Sequence, residues 1–113
     1  MTAMACDVLS LPLDPAPLDP ADVMDGDPRV RSRTLWRSPD GRSQRGVWEI
    51  TPGTVRDVEV DEMFVVLTGR ASVVIEGGPT LELAPGTVGM LNAGDRTVWR
   101  VTETLRKVYQ LSR

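Results

Sequence analysis

Residues 59–69, EVDEMFVVLTG, continue directly into residues 70–78, RASVVIEGG, and this stretch decides how the fold is read. Two runs rich in Val, a strong strand former, lie on either side of Gly69. Because glycine adopts the positive φ that tight turns require, Gly69 can reverse the chain between them. We therefore predict a β-hairpin of a small barrel, with its turn at Gly69.

The chain from Arg29 onward repeats this kind of pattern. Short runs rich in Val, Thr, Ile and Trp alternate with Gly, Pro, Asp and Asn, which is typical of an all-β sandwich or barrel. We predict strands near residues 30–38, 44–51, 54–60, 62–68, 71–76, 79–83, 87–91, 96–101 and 104–111. Proline and glycine predict turns at residues 38–41, 51–53, 77–79, 84–86 and 92–95. Nine short strands would leave unpaired edges, and closing them into a jelly-roll barrel protects most of these. A second subunit can cover an edge strand that remains.

Residues 1–28 form an acidic, proline-rich N-terminal arm before the barrel at residues 29–113. The arm holds six Asp and no Lys or Arg, whereas the remainder holds 13 basic and ten acidic residues. The four prolines of residues 11–20, LPLDPAPLDP, favour an extended chain, and ADVMDG can add one helical turn. We expect a solvated leader; the alternative is an arm that lies on the basic body of its own or a neighbouring subunit.

Length and composition narrow the class of protein. The 113 residues suffice for one domain, and no apolar run approaches the roughly 18 residues of a membrane span. The first residues lack a basic segment followed by an apolar core, so we expect a cytoplasmic protein. Scattered basic residues and a pI of about 4.9 argue against nucleic-acid binding. The single cysteine, Cys6, is expected to be an ordinary reduced thiol.

The order of short motifs resembles the cupin barrel. Its two motifs correspond to Pro52-Gly53, Glu62 followed by six residues and Gly69, Pro85-Gly86, and Asn92-Ala93-Gly94. Four longer segments, GVWEITPGTV, DEMFVVLTGRASV, NAGDRTVWRV and TLRKVYQL, resemble the small cupins related to ureidoglycine aminohydrolase. The resemblance covers about residues 46–111 and implies a double-stranded β-helix, which we expect to be a homodimer.

The resemblance also implies a metal site. This chain lacks the histidines that usually form it. Metal-binding cupins use two His and a Glu from the first motif and a His from the second. Carried over, Glu62 takes the glutamate position and Thr97 that of the second-motif histidine, but the chain contains no histidine. The aminohydrolases of this family release ammonia using bound Mn²⁺, and that activity is therefore not carried over.

Oxygen ligands leave one alternative for a metal. Glu59, Asp61 and Glu62 are of the type that Mg²⁺ or Ca²⁺ prefers, but neighbouring strand residues point to opposite faces. At most Glu62 and one neighbour can therefore converge. We expect no cofactor, and any bound metal would be held by carboxylates that include Glu62. For Glu59 and Asp61, we expect a solvated cluster of acids.

Alternation places the candidate ligand-binding side chains. If Glu62 faces the interior, as the resemblance implies, Phe64 and Val66 face it too, and the opposite face with Met63 is also apolar. A second strand puts Thr97 and Trp99 on one face, and Trp48 joins them if it faces inward. These rings are either core or a stacking wall for a flat or cationic ligand.

If Glu62 points inward, desolvation raises the pKa of its carboxyl group unless a cation lies beside it. Its candidate partners are Arg56, Arg70, Lys107 and Tyr109. A structural salt bridge and a catalytic role for Glu62 both remain open. Lys107 and Tyr109 share a face of the last predicted strand. They either cover an edge or act in a site, where Lys107 binds a carboxylate and Tyr109 donates a proton.

Three functions remain open. The first is a barrel without a histidine metal site that binds a small, anionic or ureido-like molecule through Trp48, Phe64, Thr97, Trp99 and Lys107. The second is a metal-independent enzyme with Glu62 as acid or base and Tyr109 as proton donor, acting on a small ureido or carboxylate metabolite. The third is a dimeric interaction module without a ligand. A cavity on which Glu62, Trp99 and Tyr109 converge would favour the first two over a filled barrel.

Overall fold

The computed structural model describes residues 3–113, so the first two residues of the predicted arm lie outside the described residues. Nine β-strands form one antiparallel sheet that curls into a barrel. Their bounds are β1 Asp14–Pro15, β2 Val23–Gly26, β3 Val30–Arg37, β4 Ser43–Ile50, β5 Gly53–Val58, β6 Asp61–Ile75, β7 Thr80–Leu83, β8 Val88–Leu91 and β9 Arg96–Ser112. A 3₁₀ turn at Pro20–Asp22 is the helical element of the described residues, and no helix there is long and apolar enough to cross a membrane.

The two long strands β6 and β9 connect the two layers of the barrel. In one layer, the first half of β6 pairs with the second half of β9. Strands β4, β3 and β1 follow in order beside β9, and β8 lies beside β6. The second half of β6 pairs with the first half of β9, flanked by β5 and β2 on one side and β7 on the other. The predicted jelly-roll barrel is thereby confirmed.

The predicted hairpin at Gly69 is wrong. Residues 61–75 form one strand that bends at Gly69, where the register with β9 shifts several times between Val66 and Ala71. Gly69 has a φ of +90°, and a Cβ there would overlap the carbonyl oxygen of Thr104 on β9. A positive φ serves a bend as well as a turn, and the close approach of β9 makes it a bend. The hairpin lies at Gly77-Gly78, between β6 and β7.

The arm pairs with the barrel rather than extending into solvent. Strand β1 pairs with β3 at the edge of one layer, and β2 pairs with β5 at the edge of the other. Two ion pairs join arm to barrel, Asp14 to Arg33 and Asp22 to Arg56, each at 3.6 Å. The guanidinium of Arg106 donates to the carbonyls of Val8, Leu9 and Leu11. The expectation of a solvated leader is therefore wrong for these residues, because the arm lies on its own barrel and covers the edges of β3 and β5.

The core lies between the two layers. Its fully buried side chains come from β4, from both halves of β6 and from β9: Ile50, Phe64, Val66, Val73 and Leu105. The outer face of β6 and β8 is apolar as well, and Met63, Val88 and Met90 are 51%, 57% and 68% exposed. A second subunit that would cover this face stays a prediction.

Candidate functional site

One end of the barrel opens into a cavity of about 420 Å³. Strands β4, β5, β6 and β9 supply its walls, and the arm crosses its mouth with Leu18 and Asp22. The charged and aromatic residues on its wall are Trp48, Arg56, Asp57, Glu59, Glu62, Trp99, Lys107, Tyr109 and Arg113. The arm reaches the mouth because β1 and β2 pair with the edges of opposite layers.

A buried ion pair joins Glu62 to Lys107 in the cavity wall. Glu62 begins the inward face of β6, and Lys107 lies on the inward face of β9. The Nζ of Lys107 donates to Oε2 of Glu62 at 2.7 Å, and the two side chains are 7% and 8% exposed. Since an isolated buried charge is costly, each of the two groups depends on the other. Lys107 is thus the partner of Glu62, and Arg70 pairs instead with Glu103.

Three aromatic rings surround the Lys107 ammonium and form what we call the aromatic cage: Trp48, Phe64 and Trp99. Its Nζ lies 4.6 Å from the ring centroids of Trp48 and Phe64 and 4.8 Å from that of Trp99. Trp99 contacts both other rings, with centroid distances of 5.7 and 5.9 Å. Ring faces attract a cation within about 6 Å. The sequence suggested that Trp48 and Trp99 could stack on a cationic ligand. In the structure, these rings contact the Lys107 ammonium instead.

Glu59 is a site residue that sequence reasoning missed. It is 8% exposed, so the predicted solvated acid is in fact buried. Its Oε2 accepts from the Thr97 hydroxyl at 2.7 Å and from the Trp99 indole N–H at 3.1 Å. Its backbone N–H donates to Asp95, and its carbonyl accepts from Gly94. Alternation continued from the buried Val55 would have pointed Glu59 inward, but its contacts with the turn at residues 92–95 are not visible in the sequence.

Of the remaining predicted residues, Tyr109 lies on the cavity wall and Thr97 lies behind it, whereas Asp61 lies at the protein surface. Thr97 is 3% exposed and holds Glu59, as described above. Tyr109 lines the cavity, and its hydroxyl accepts from Nε2 of Gln44 at 2.7 Å. Asp61 is exposed and accepts from the backbone N–H of Ala93. Lys107 and Tyr109 both face inward, which resolves the orientation of the last strand.

Asp57 places a second carboxyl group at the mouth beside Glu59. It lies on β5 opposite Thr97 and keeps part of its surface in solvent. Partial burial of the carboxyl group and the Glu59 carboxylate raise the pKa of Asp57 to about 6 from 3.8. Asp22, which pairs with Arg56, raises this pKa further, whereas the Val58 N–H and Lys107 lower it. The mouth therefore concentrates negative charge near neutral pH.

This raised pKa predicts how stability depends on pH. The folded protein holds the Asp57 proton up to about pH 6, whereas an unfolded chain releases it near 3.8. Stability present below pH 3.8 should therefore be lost as the pH rises through about 6. We expect Asp57→Asn to gain stability relative to the parent protein between about pH 4 and pH 7 in denaturant titrations. The gain should be small, because solvent screens a partly exposed charge.

Asp25→Asn provides the control, since Asp25 is an exposed carboxylate on β2. Its stability relative to the parent protein should not vary over this pH range in the way expected for Asp57→Asn. If the free energies of unfolding of Asp57→Asn and the parent protein change in parallel with pH, the raised pKa of Asp57 is contradicted.

The side chains do not fit the metal site that the cupin resemblance implies. Oε2 of Glu62 is bonded to the Lys107 ammonium, and the Thr97 hydroxyl donates to Glu59. Within residues 3–113, no three His, Cys, Asp or Glu side chains are grouped so that they could hold a metal ion. The Glu62 carboxylate already has the Lys107 ammonium as its cation, at 2.7 Å, and a metal ion at Glu62 would lie beside that positive charge.

Comparisons with known proteins agree with the architecture. A family model described as the EutQ-like cupin domain matches residues 37–109. A search among curated proteins gives no match.

Solved structures with this fold come from several bacteria. The EutQ protein of Clostridium difficile is 18% identical, with a TM-score of 0.65 over 86% of this chain and 80% of that chain. A putative ethanolamine utilization protein Q from Salmonella typhimurium is 22% identical, with a TM-score of 0.64 over 74% and 69% of the two chains. A Pseudomonas syringae protein of unknown function from the DUF861 family is 28% identical, with a TM-score of 0.82 over 94% of this chain. The present chain covers 46% of that protein, or about half its length.

Proposed function

The chain belongs to the family of EutQ-like cupin domains, and from this premise we propose that it binds a small molecule in the cavity of its barrel without a histidine metal centre. The observation that carries the proposal is the wall of the cavity. Glu59, Glu62 and Lys107 are charged groups with more than nine-tenths of their side chain or residue surface buried, and all three line an open volume of about 420 Å³. Ligand pockets combine such apolar walls with a few placed polar groups.

A ligand-free interaction module fits these features less well. Glu62, Trp99 and Tyr109 converge on one cavity instead of filling the barrel. A core that served folding alone would gain from apolar side chains, since replacing a buried ion pair by well-packed apolar groups is often neutral or stabilising. Charged residues kept at the wall of a cavity therefore support a binding role.

Metal-independent acid–base catalysis by Glu62 and Tyr109 also has less support than binding. The Glu62 carboxylate already accepts a hydrogen bond from Lys107, and the Tyr109 hydroxyl accepts one from Gln44. A general base must reach a substrate proton within hydrogen-bond distance. Glu62 would first have to give up its ion pair, so we assign these two residues to the shape and charge of the wall.

Two compounds are natural first probes of the cavity. The resemblance to ureidoglycine aminohydrolase-like cupins suggests a ureido amino acid as the first probe. The Salmonella relative is named as a putative ethanolamine utilization protein, so ethanolamine is the second probe. Both belong in a wider screen of small amines, ureido compounds and carboxylates.

Tryptophan fluorescence tests the proposal directly, because Trp48 and Trp99 line the cavity. We expect at least one class of compound to change the emission saturably. At 100 times its Kd, such a ligand should raise the free energy of unfolding by about 2.7 kcal/mol. Trp48→Phe should reduce the fluorescence change, whereas Trp36→Phe should retain it, because Trp36 lies away from the cavity against Arg45 at 4.4 Å. A screen without any saturable, stabilising compound would refute the proposed binding function.

A further inference from the structure

The cavity carries more buried negative than positive charge. Of its charged residues, Glu62 pairs with Lys107 at 2.7 Å and Asp22 pairs with Arg56 at 3.6 Å. Asp57, Glu59 and Arg113 remain on the wall. Asp57 and Arg113 are both exposed, so solvent and salt screen their opposite charges, and Glu59 is the buried charge that is left. Within residues 3–113, the side-chain partners of the Glu59 carboxylate are a hydroxyl and an indole, which are both neutral. The cavity is therefore complementary to a positive charge.

One oxygen of Glu59 is available to a ligand. The hydrogen bonds from Thr97 and Trp99 both converge on Oε2. Every deeply buried side-chain oxygen or nitrogen in the described residues has a hydrogen-bond partner. Because Oε1 accepts no hydrogen bond, it is not deeply buried, and Glu59 lines the cavity, so we take Oε1 as the oxygen that a ligand in the cavity can reach. A carboxylate that is mostly desolvated and keeps one acceptor open is a strong receptor for a charged donor.

We propose that the ligand of this cavity is an organic cation, a protonated amine or amidinium, whose charged nitrogen donates to Glu59 Oε1 and lies beside Asp57. The inference rests on the proposed function, since it names the chemical class that the cavity binds. The apolar part of the ligand contacts the wall formed by Val55, Trp48 and the arm residue Leu18.

The receptor is already in place before a ligand enters. Both backbone groups of Glu59 are held by the turn at residues 92–95, at 2.8 and 2.9 Å. Thr97 and Trp99 fix the orientation of its carboxylate through Oε2. Little side-chain entropy is therefore lost when a ligand binds, which is the advantage of a preorganised site.

An anionic ligand is disfavoured by the same geometry. Lys107, which the sequence predicted as a possible carboxylate receptor, has a side chain only 7% exposed, and its ammonium is bonded to Glu62 and surrounded by the aromatic cage. An anion would have to displace Glu62 from Lys107 while lying near the carboxylates of Asp57 and Glu59. Like charges brought together in a site of low dielectric repel strongly.

A matched set of probes separates charge from shape. Butylammonium, 1-butanol and butyrate have similar size and differ in charge, and each is titrated against the full chain by tryptophan fluorescence and thermal shift at about pH 7.5. We expect butylammonium to bind at least about tenfold more tightly than 1-butanol, since hydrogen bonds between charged partners are stronger than neutral ones. Butyrate should bind no better than the alcohol.

Two variants with the same change in net charge locate the receptor. In Glu59→Gln, the amide oxygen can still accept from Thr97 and Trp99, and we expect the preference for butylammonium to fall below about threefold. Glu103→Gln removes an exposed carboxylate that pairs with Arg70 and should retain the full preference. Asp57→Asn, at the solvent-exposed mouth, should reduce the preference partly, and it serves as a second test if Glu59→Gln folds poorly.

The outcomes distinguish the ligand class from the binding function. Tighter binding of butyrate than of butylammonium, or an unchanged preference in both Glu59→Gln and Asp57→Asn, would overturn the cationic class while leaving a binding cavity. If neither these probes nor the wider screen gives a saturable response, the binding function itself fails and the inference fails with it.

Discussion

Lys107→Met is expected to lower the free energy of unfolding by about 3–5 kcal/mol, because it leaves the Glu62 carboxylate buried without its cation. The two side chains are 7% and 8% exposed and are joined at 2.7 Å. Methionine keeps a similar length and apolar contact with the aromatic cage, so the loss reports the charge rather than a cavity. Denaturant unfolding at neutral pH measures the change in free energy.

A double variant and a surface pair provide the controls. Combining Lys107→Met with Glu62→Leu removes both charges and should recover most of the lost stability, since apolar replacement of a whole buried pair is often neutral or better. Arg70→Met breaks the ion pair with Glu103, whose side chains are 60% and 63% exposed, and should change stability by no more than about 1 kcal/mol. Equal losses from Lys107→Met and Arg70→Met would contradict the dependence of Glu62 on Lys107.

Gly69→Ala is expected to destabilise the fold by about 3 kcal/mol, through strain at a positive φ and through overpacking. The φ of Gly69 is +90°, and the added Cβ would meet the backbone of Thr104 and Leu105. Backbone atoms cannot move aside as a side-chain tip can, so β6 and β9 would have to separate where they bend together. Thermal and denaturant unfolding of the variant measure the loss.

Gly77→Ala isolates the contribution of φ from that of the close approach. Gly77 has a φ of +73°, and nothing lies within 4 Å of a Cβ placed there. Its substitution should cost only the left-handed backbone penalty of about 1–2 kcal/mol. A Gly69→Ala variant as stable as Gly77→Ala would show that the approach of β9 at Gly69 is not tight.

The sequence could predict which side chains point inward, because side chains alternate between the two faces along a single strand. Alternation put Glu62 and Phe64 on one face of β6, and Thr97 and Trp99 on one face of β9; the structure shows each pair facing inward. The motif resemblance implied the barrel and the place of Glu62 in it. Glu62 and four residues proposed from strand faces and side-chain chemistry line the cavity: Trp48, Trp99, Lys107 and Tyr109.

Three features were not predictable from local pattern. Gly69 has the same local signal in a bend as in a turn, and the passage of β9 over it makes it a bend. Glu59 looked like a solvated acid, but residues some 40 positions later in the chain bury it and bond to it. The arm looked like a solvated leader, but its strands pair with β3 and β5, which distant segments of the chain place at sheet edges.

Side-chain alternation, turn residues and motif order therefore account for the all-β class, the barrel and the inward faces, since each depends on a few consecutive residues. The charge environment of the cavity has a different origin. Which ammonium meets Glu62, which rings surround it and which carboxylate keeps an open oxygen all depend on strands that pair across long stretches of chain. Burial and electrostatics arise from these tertiary contacts, and so the chemistry of the site became readable only from the folded structure.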